Sequence, residues 1–419
     1  MLLLLLLACG PKTPAAPPTS GPHALTVLHT NDIHAHFEPE PAEWLDGRPT
    51  IGGFVRLEQE VRAVRAARGA GQTLTVDGGD QLTGTPITEL EEAGSFGGAM
   101  HALFERVGYD AWVVGNHEFD KGLDNLSRYS QNHPMLPLSC NLLALGSAKP
   151  LLPQQELSHV YAVAGMRVGV IGVTTDKLAG LMNKRDFARM TLAPESAAVQ
   201  AEVNRLDPAT DLIVVLSHIG VESDKRLASD VQGIDLIVGA HSHTRLTSAL
   251  RVGDTWIVQA GSYNRSLGIV DLVADEDHIT ELRYELRDLL PDTATVAPDP
   301  EMQETVATYK KSIDRVYGET VSNAPRCWDA PTTTRARSGV GSPTRCAIAP
   351  GQTSPSTMAV GFGRTSLLDR SPASRCFSAS PFKMRWSPSS SAGKRCSTSC
   401  SGTSPPTQTK SVAFCLPLA

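Results

Sequence analysis

The stretch VVGNHEFD (residues 113–120) joins two unlike halves. Val113 and Val114 read as the end of a buried strand, yet they run straight into Gly115, Asn116, His117, Glu118, Phe119 and Asp120. One such cluster could merely cap the next helix. It becomes informative because four other apolar runs end the same way. LTVLHTNDIH delivers Asp32 and His34, LTVDGGD delivers Asp80, LIVVLSH delivers His218, and LIVGAHSH delivers His241 and His243. Five strands thus carry imidazoles, carboxylates and an amide to their C-terminal ends, the edge where open α/β folds assemble their sites.

Between these runs lie helical patterns. GGFVRLEQEVRAVRAARG places Phe54, Leu57, Val61 and Val64 on one face and stops at Gly69. SFGGAMHALFERVG, PESAAVQAEVNRL and ESDKRLASDV read as further helices, and HPMLPLSCNLL, MRVGVIGVTT, TWIVQAGSY and LGIVDLVAD as further strands. The alternation predicts an α/β architecture with sheets covered by helices. DPEMQETVATYKKSIDRVYG sets Met302, Val306, Tyr309, Ile313 and Val316 on one face and predicts a connecting helix over 299–320, so that residues 24–298 form the folded body.

The 419 residues are 41% hydrophobic with a formal charge of −6, so composition gives no electrostatic footprint for a nucleic-acid polymer. The charge is uneven. After Trp328 the only acids are Asp329 and Asp369, while Arg and Lys recur. Residues 321–419, rich in Ser, Arg, Pro and Cys, show no sustained period and are expected to form a disordered tail. At the other end, residues 1–23 read as a leader and tether. Leu2–Leu7 is too short to span a bilayer, and Leu6-Leu7-Ala8-Cys9 resembles a bacterial lipobox, which makes Cys9 the candidate for lipidation and implies export to the periplasm or cell surface. Six of the other seven cysteines lie in the tail. Cys140 is then the only one in the body, which needs no disulfide, and it is expected to be a small buried residue.

The donor set decides the chemistry. Asp32-x-His34 on extended chain puts both side chains on one face. Imidazoles, carboxylates and an amide oxygen suit borderline-to-hard divalent ions such as zinc, manganese or iron. There are too many donors for one tetrahedral site, and two ions about 3.5–4 Å apart, bridged by a carboxylate, fit the inventory well. Each residue alone has an ordinary reading as a turn, cap or core residue; their recurrence at matching strand ends does not. Glu118 is expected to support its neighbours structurally. His23, His36, His101, His133, His159 and His278 fit no motif position, with His36, two past His34, the one to watch.

NDIHAHF, DGGD, GNHEFD, LSHIG and GAHSH, in this order, resemble the calcineurin-like metallophosphoesterases, and more narrowly the bacterial 5′-nucleotidase/UDP-sugar hydrolase family, over about Leu25 to Tyr317. The resemblance implies a four-layer αββα sandwich. It implies one divalent ion on Asp32, His34, Asp80 and His243, and a second on Asp80, Asn116, His218 and His241, with Asp80 as the bridge. His117, oriented by Asp120, would stabilise the transition state or protonate the leaving oxygen. GGFVRL and GSYNRSLG look like family segments that build the site wall. The implied substrate is a nucleotide or another small phosphoester, the implied contact with a membrane is a lipid anchor alone, and a monomer is assumed. A 2′,3′-cyclic-nucleotide phosphodiesterase/3′-nucleotidase, a UDP-sugar hydrolase and a non-catalytic metal-binding lipoprotein are the alternatives. In the resembled family a second domain follows the linker helix and contains a segment like N-G-G-G-I-R. Suitable codons for TMAVGFGRTSL (Thr357–Leu367), begun one nucleotide earlier, read N-N-G-G-G-I-R-A-D-L, and the same offset turns Phe377–Cys400 into a second family-like stretch. The tail is therefore expected to be a frameshifted second domain, the shift falling between Val321 and Met358.

Overall fold

The structure is a computed structural model that describes residues 21–318 apart from 276, 277, 292 and 294. Cys9 and the tail expectations lie outside the described residues.

Taken in chain order, the strands of the two main sheets are β1 (His23–Thr30), β2 (Thr73–Asp77), β3 (Ala111–Val113), β4 (Leu136–Leu138), β5 (Ser158–Val163), β6 (Met166–Thr174), β7 (Leu212–His218), β8 (Leu236–Gly239), β9 (Leu250–Val252), β10 (Thr255–Val258), β11 (Ser266–Asp275) and β12 (His278–Asp288). The first sheet has the order β12-β11-β1-β2-β3-β4, and the second β5-β6-β7-β8-β10-β9. Strands β1 to β4 run parallel, as do β6, β7, β8 and β10, so each sheet gathers its motif-bearing ends on one edge. β1 begins at His23, one residue inside the stretch expected to be tether.

The strands are apolar on both faces because both faces are covered. On β7, Leu212, Val214 and Leu216 point into the layer between the sheets, where they meet Val27, Val76 and Val113 of the first sheet. Ile213 and Val215 point outward against Val199, Val203 and Leu227. Those three belong to α4 (Glu195–Leu206) and α5 (Val221–Asp230), which cover the second sheet. On the far side α1 (Phe54–Arg68), α2 (Ala99–Val107), α3 (Leu123–Gln131) and α6 (Pro300–Tyr317) bury Leu57, Phe104, Tyr129 and Met302 against the first sheet. Helix–sheet–sheet–helix is the αββα sandwich expected. Each fully buried aliphatic side chain contributes about 1.5–3 kcal/mol.

α1 spans the expected segment and ends at Gly69, which adopts φ 98°. α6 starts where Asp299 accepts the Glu301 and Met302 backbone N–H groups. Its expected apolar face is shorter than the sequence suggests. Met302 and Val306 are buried, and Tyr309 and Ile313 pack beside them. Val316 is 55% exposed: the helix has run past the edge of the core by its last turn. Cys140 is buried and unpaired, as expected. Among the described residues no helix is long and apolar enough to cross a membrane.

Candidate metal centre

All five motif ends meet at one edge of the sandwich, three from the first sheet and two from the second. The loop after β1 is laced to the loop after β2: Asp32 N–H donates to the Gly79 carbonyl (2.9 Å), His34 N–H to Asp80 (2.9 Å) and Ala35 N–H to Gln81 (2.8 Å). The strand end of β3 leaves no room for a side chain at Gly79, where a Cβ would stand 2.4 Å from the Val113 carbonyl oxygen and φ is +85°. Asn31 ties the sheets together. It donates to Asp32 Oδ2 (2.7 Å) and the Gly261 carbonyl (2.6 Å) and accepts from Ala260 N–H (2.8 Å). The Asp32 carboxylate also accepts His241 N–H across the gap (3.0 Å).

Three trios of acid and imidazole atoms result, each within 4.8 Å: Asp32, His34 and His243; His34, Asp80 and His117; Asp80, His218 and His241. His34 is shared by the first two and Asp80 by the last two, so the owners of these atoms form one chain of neighbours. His34 Nε2 faces His243 Nε2 at 3.0 Å, the separation of two nitrogens each about 2.1 Å from a common ion at a right angle. His243 Nε2 stands 3.4 Å from Asp32 Oδ1, and His218 Nε2 3.2 Å from Asp80 Oδ2. The other ring nitrogens are already committed. Nδ1 of His218 donates to the Gly78 carbonyl (2.7 Å) and Nδ1 of His34 to Thr83 (3.0 Å), which turns each Nε2 lone pair inward.

The residues present fit cations. Asn116 Oδ1 is buried without a hydrogen-bond donor, a costly arrangement that a cation would relieve. Asp32 and Asp80 are almost wholly buried, and among the described residues their only ion-pair partners are histidines. The uncompensated negative charge shows in the protonation of the pocket. Burial pulls His218 down, but Asp80 outweighs it and raises the ring to about 10. His117 is likewise lowered by burial and lifted by its hydrogen bond to Asp120, with Asp80, Asp120 and Glu118 adding to the lift, to about 9. Burial and the neighbouring His218 hold His241 down at about 4.

His117 is set apart from the other histidines. Its Nδ1 contacts Asp120 Oδ2 at 2.8 Å, and the same oxygen accepts the Thr83 hydroxyl at 2.8 Å. The ring is 37% exposed and packs edge-on to His34, with centroids 5.0 Å apart. Every site residue expected from sequence within the described residues is therefore at this edge. His36, the one to watch, belongs to none of the trios; it lies against Tyr263, with centroids 4.6 Å apart, and its Nδ1 is 3.9 Å from Glu40.

Tyr263 is the residue that sequence reasoning passed over. It sits in the GSYNRSLG segment and touches the rings of His34 (5.6 Å) and His243 (5.4 Å) as well as His36. Its N–H donates to the Asp32 carbonyl (2.8 Å). Arg265 lies over both Tyr263 and the exposed Trp44, on one wall of a 220 Å³ cleft that reaches His243. An aromatic between Ser and Asn in a turn carries no signal of its own; its meaning comes from a loop more than two hundred positions away. The backbone here is strained: Asp32, His34, Asp80, His241, His243, Tyr263 and Asn264 all have φ between 47° and 72°. Non-glycine residues adopt this left-handed region rarely, and they cluster in it at functional sites.

A four-layer α/β sandwich with acid–imidazole trios at the C-terminal edge of both sheets is the architecture of a metal-dependent phosphoesterase. The chain belongs to the calcineurin-like phosphoesterase family, whose model matches residues 25–245, more than half of its length. It is similar to the 5′-nucleotidase of Mus musculus, 34% identical over 251 residues that cover 58% of this chain and 42% of the mouse protein. It is also similar to the 5′-nucleotidase of Diplobatis ommata, 31% identical over 331 residues that cover 72% of this chain and 55% of that one. Among solved structures, the 5′-nucleotidase precursor from Thermus thermophilus superposes with a TM-score of 0.63 at 27% identity, covering 71% of this chain and 61% of that chain. The match thus spans about half the length of the curated relatives.

Proposed function

We propose that the chain is a phosphoester hydrolase of the 5′-nucleotidase type that works with two divalent ions of the zinc, manganese or iron kind. The observation that carries this reading is the sharing of Asp80 and His34 among three adjacent trios, which offers two neighbouring sets of donors rather than one. Asp32, His34, Asp80 and His243 would hold one ion. Asp80, Asn116, His218 and His241 would hold the other, with the orphaned Asn116 oxygen as the argument for its place. When bound, the ions supply Lewis acidity toward the phosphoryl group and a water acidic enough to attack near neutral pH.

The chain's own residues do the rest. His117 projects from the same loop as Asn116 and stands within reach of the trio of His34 and Asp80. Its Nδ1–H is held by Asp120, so Nε2 is the atom that meets substrate. Protonated, it places positive charge beside the phosphoryl oxygens and gives its Nε2 proton to the departing alkoxide. Asp120 fixes the ring, and Thr83 fixes Asp120.

The substrate class is a nucleoside 5′-monophosphate, supported by the curated relatives. The test uses the full chain loaded with Mn²⁺ or Zn²⁺, with AMP, p-nitrophenyl phosphate, a 2′,3′-cyclic nucleotide and a UDP-sugar as substrates. Release of phosphate from AMP with two bound ions per chain is expected. A chain that binds no ion, or binds two and cleaves none of the four, refutes the reading; cleavage confined to the cyclic nucleotide or the UDP-sugar replaces the substrate class.

Export with a lipid on Cys9 is part of the same proposal, supported by the Leu-Leu-Ala-Cys sequence. Incorporation of labelled fatty acid that is lost in Cys9→Ala tests it. The proposal also takes residues 321–419 as an offset translation of a substrate-gripping domain, so that this chain should discriminate poorly among nucleosides. Sequencing the gene from codon 321 to codon 358 tests this, and stop codons throughout the offset frame refute it.

A further inference from the structure

Glu118 is fully buried and forms no ion pair within 4 Å among the described residues. Its carboxylate instead accepts four backbone N–H groups. Oε1 takes those of Gln81 (2.7 Å) and Leu82 (3.3 Å), and Oε2 those of Asp80 (3.1 Å) and Gly115 (2.8 Å). Three of the four donors belong to one loop. Gly79 and Asp80 at φ +85° and +53° curl that loop so that consecutive N–H groups converge on one point. Converging amides of this kind form an anion-binding concavity. Here the anion is a side chain from the next strand end.

We propose that Glu118 is a positioning residue for the metal centre, holding the loop that bears Asp80 in register with the strand end that bears Asn116 and His117. The inference rests on the two-ion reading above. Its consequence is visible at Asp80. With the two segments pinned together, His117 N–H donates to Asp80 Oδ1 (2.8 Å). That leaves Oδ2 as the oxygen turned toward His218 (3.2 Å) and His34 (3.9 Å). Gly115 completes the junction: a Cβ there would stand 2.3 Å from Asp80 Oδ1 and 2.8 Å from Glu118 Oε2. Among the described residues the Glu118 carboxylate hydrogen-bonds to backbone N–H groups and to no side chain of the centre. It acts through the backbone that sets which oxygen of Asp80 faces the ions.

Glu118→Gln keeps the shape but turns one oxygen into an N–H₂ group that faces two backbone donors. In the full chain, chelator-competition titration with Mn²⁺ should show binding of at least one ion weakened about 10–100-fold, the usual effect of losing such support. At saturating metal, kcat for p-nitrophenyl phosphate should fall while KM stays within about twofold. Glu118→Asp, which retains the charge on a shorter arm, should recover part of the loss. Phe119→Leu thins the neighbouring core without touching the carboxylate, and should lower the melting temperature with metal affinity unchanged. Parent-like affinity in Glu118→Gln overturns the proposal, as does an equal loss of affinity in Phe119→Leu. If Glu118→Gln does not fold, parent-like affinity in Glu118→Asp overturns it instead. A parent chain that binds no Mn²⁺ refutes the two-ion reading, and this inference falls with it.

Discussion

Replacing His117 by alanine tests the division of labour at the centre. The imidazole is held by a chain of two contacts, Nδ1 to Asp120 Oδ2 at 2.8 Å and Asp120 Oδ2 to the Thr83 hydroxyl at 2.8 Å, and its other nitrogen is free to meet a leaving group. A positioned acid contributes about 10²–10⁴ in rate. At about 1.36 kcal/mol per decade, His117→Ala should raise the barrier by about 2.7–5.4 kcal/mol. Metal stoichiometry should stay at the parent value, because the remaining donors of all three trios are untouched. Asp120→Asn leaves the ring in place but unpins it, so it should cost less, and in a background already lacking His117 it should cost nothing further. The assay is steady-state hydrolysis of a series of aryl and alkyl phosphates at saturating Mn²⁺, with metal content measured on the same samples. The loss should grow as the leaving alcohol becomes more basic, since a good leaving group needs no proton. A loss that is the same for nitrophenyl and alkyl phosphates would refute proton donation by His117, and a loss that comes with lost metal would refute its separation from the ligands.

Asp80→Ala removes the carboxylate shared by two trios and should abolish stoichiometric binding of both ions, whereas Asp32→Ala should lose one; elemental analysis of folded protein distinguishes them. His29 is buried with neither ring nitrogen hydrogen-bonded, and burial depresses it to about 3. A depressed histidine binds protons in the unfolded chain first, so its contribution is intact above the unfolded value near 6.5 and is lost as pH falls below it; urea titrations at pH 8 and pH 5 should show His29→Phe spared about 2 kcal/mol of the parent's acid loss. A parallel loss in both proteins would refute that account. Leu216→Ala, in the layer between the sheets, should cost about 2–5 kcal/mol in urea unfolding without altering metal content.

The strand ends were legible because each motif is local: a run of valine, leucine or isoleucine must be a buried strand, and the polar residues just beyond it must lie at its tip. The assignment of strands to two sheets was not, since β1 pairs with β11 from the far end of the domain. β12 escaped notice for a definable reason. In HITELRYELRD the apolar Leu282, Tyr284 and Leu286 alternate, but Ile279 is out of step with them, and the strand reads as charged. A register shift opposite Val273 and Ala274 lets Thr280 drop out of the pairing, after which Asp271 stands opposite Arg283. The bulge resolves the mismatch that hid the strand. Tyr263 was hidden differently, because its partners are rings on a distant loop. Glu118 was correctly expected to serve its neighbours, yet the four amides it gathers depend on the curl of another segment.

Asp32, His34, Asp80, His241 and His243 all sit where an L-residue is uncomfortable, at about 1–3 kcal/mol each. Glycine at any of them would relax the chain and discard a donor at once. On the proposed ligand assignment, thermal tolerance and metal chemistry therefore pull in opposite directions at these five positions. Selection of this protein for heat resistance alone should drift toward an inert, sturdier sandwich, so that a thermostability screen without an activity gate would erase the centre it set out to preserve.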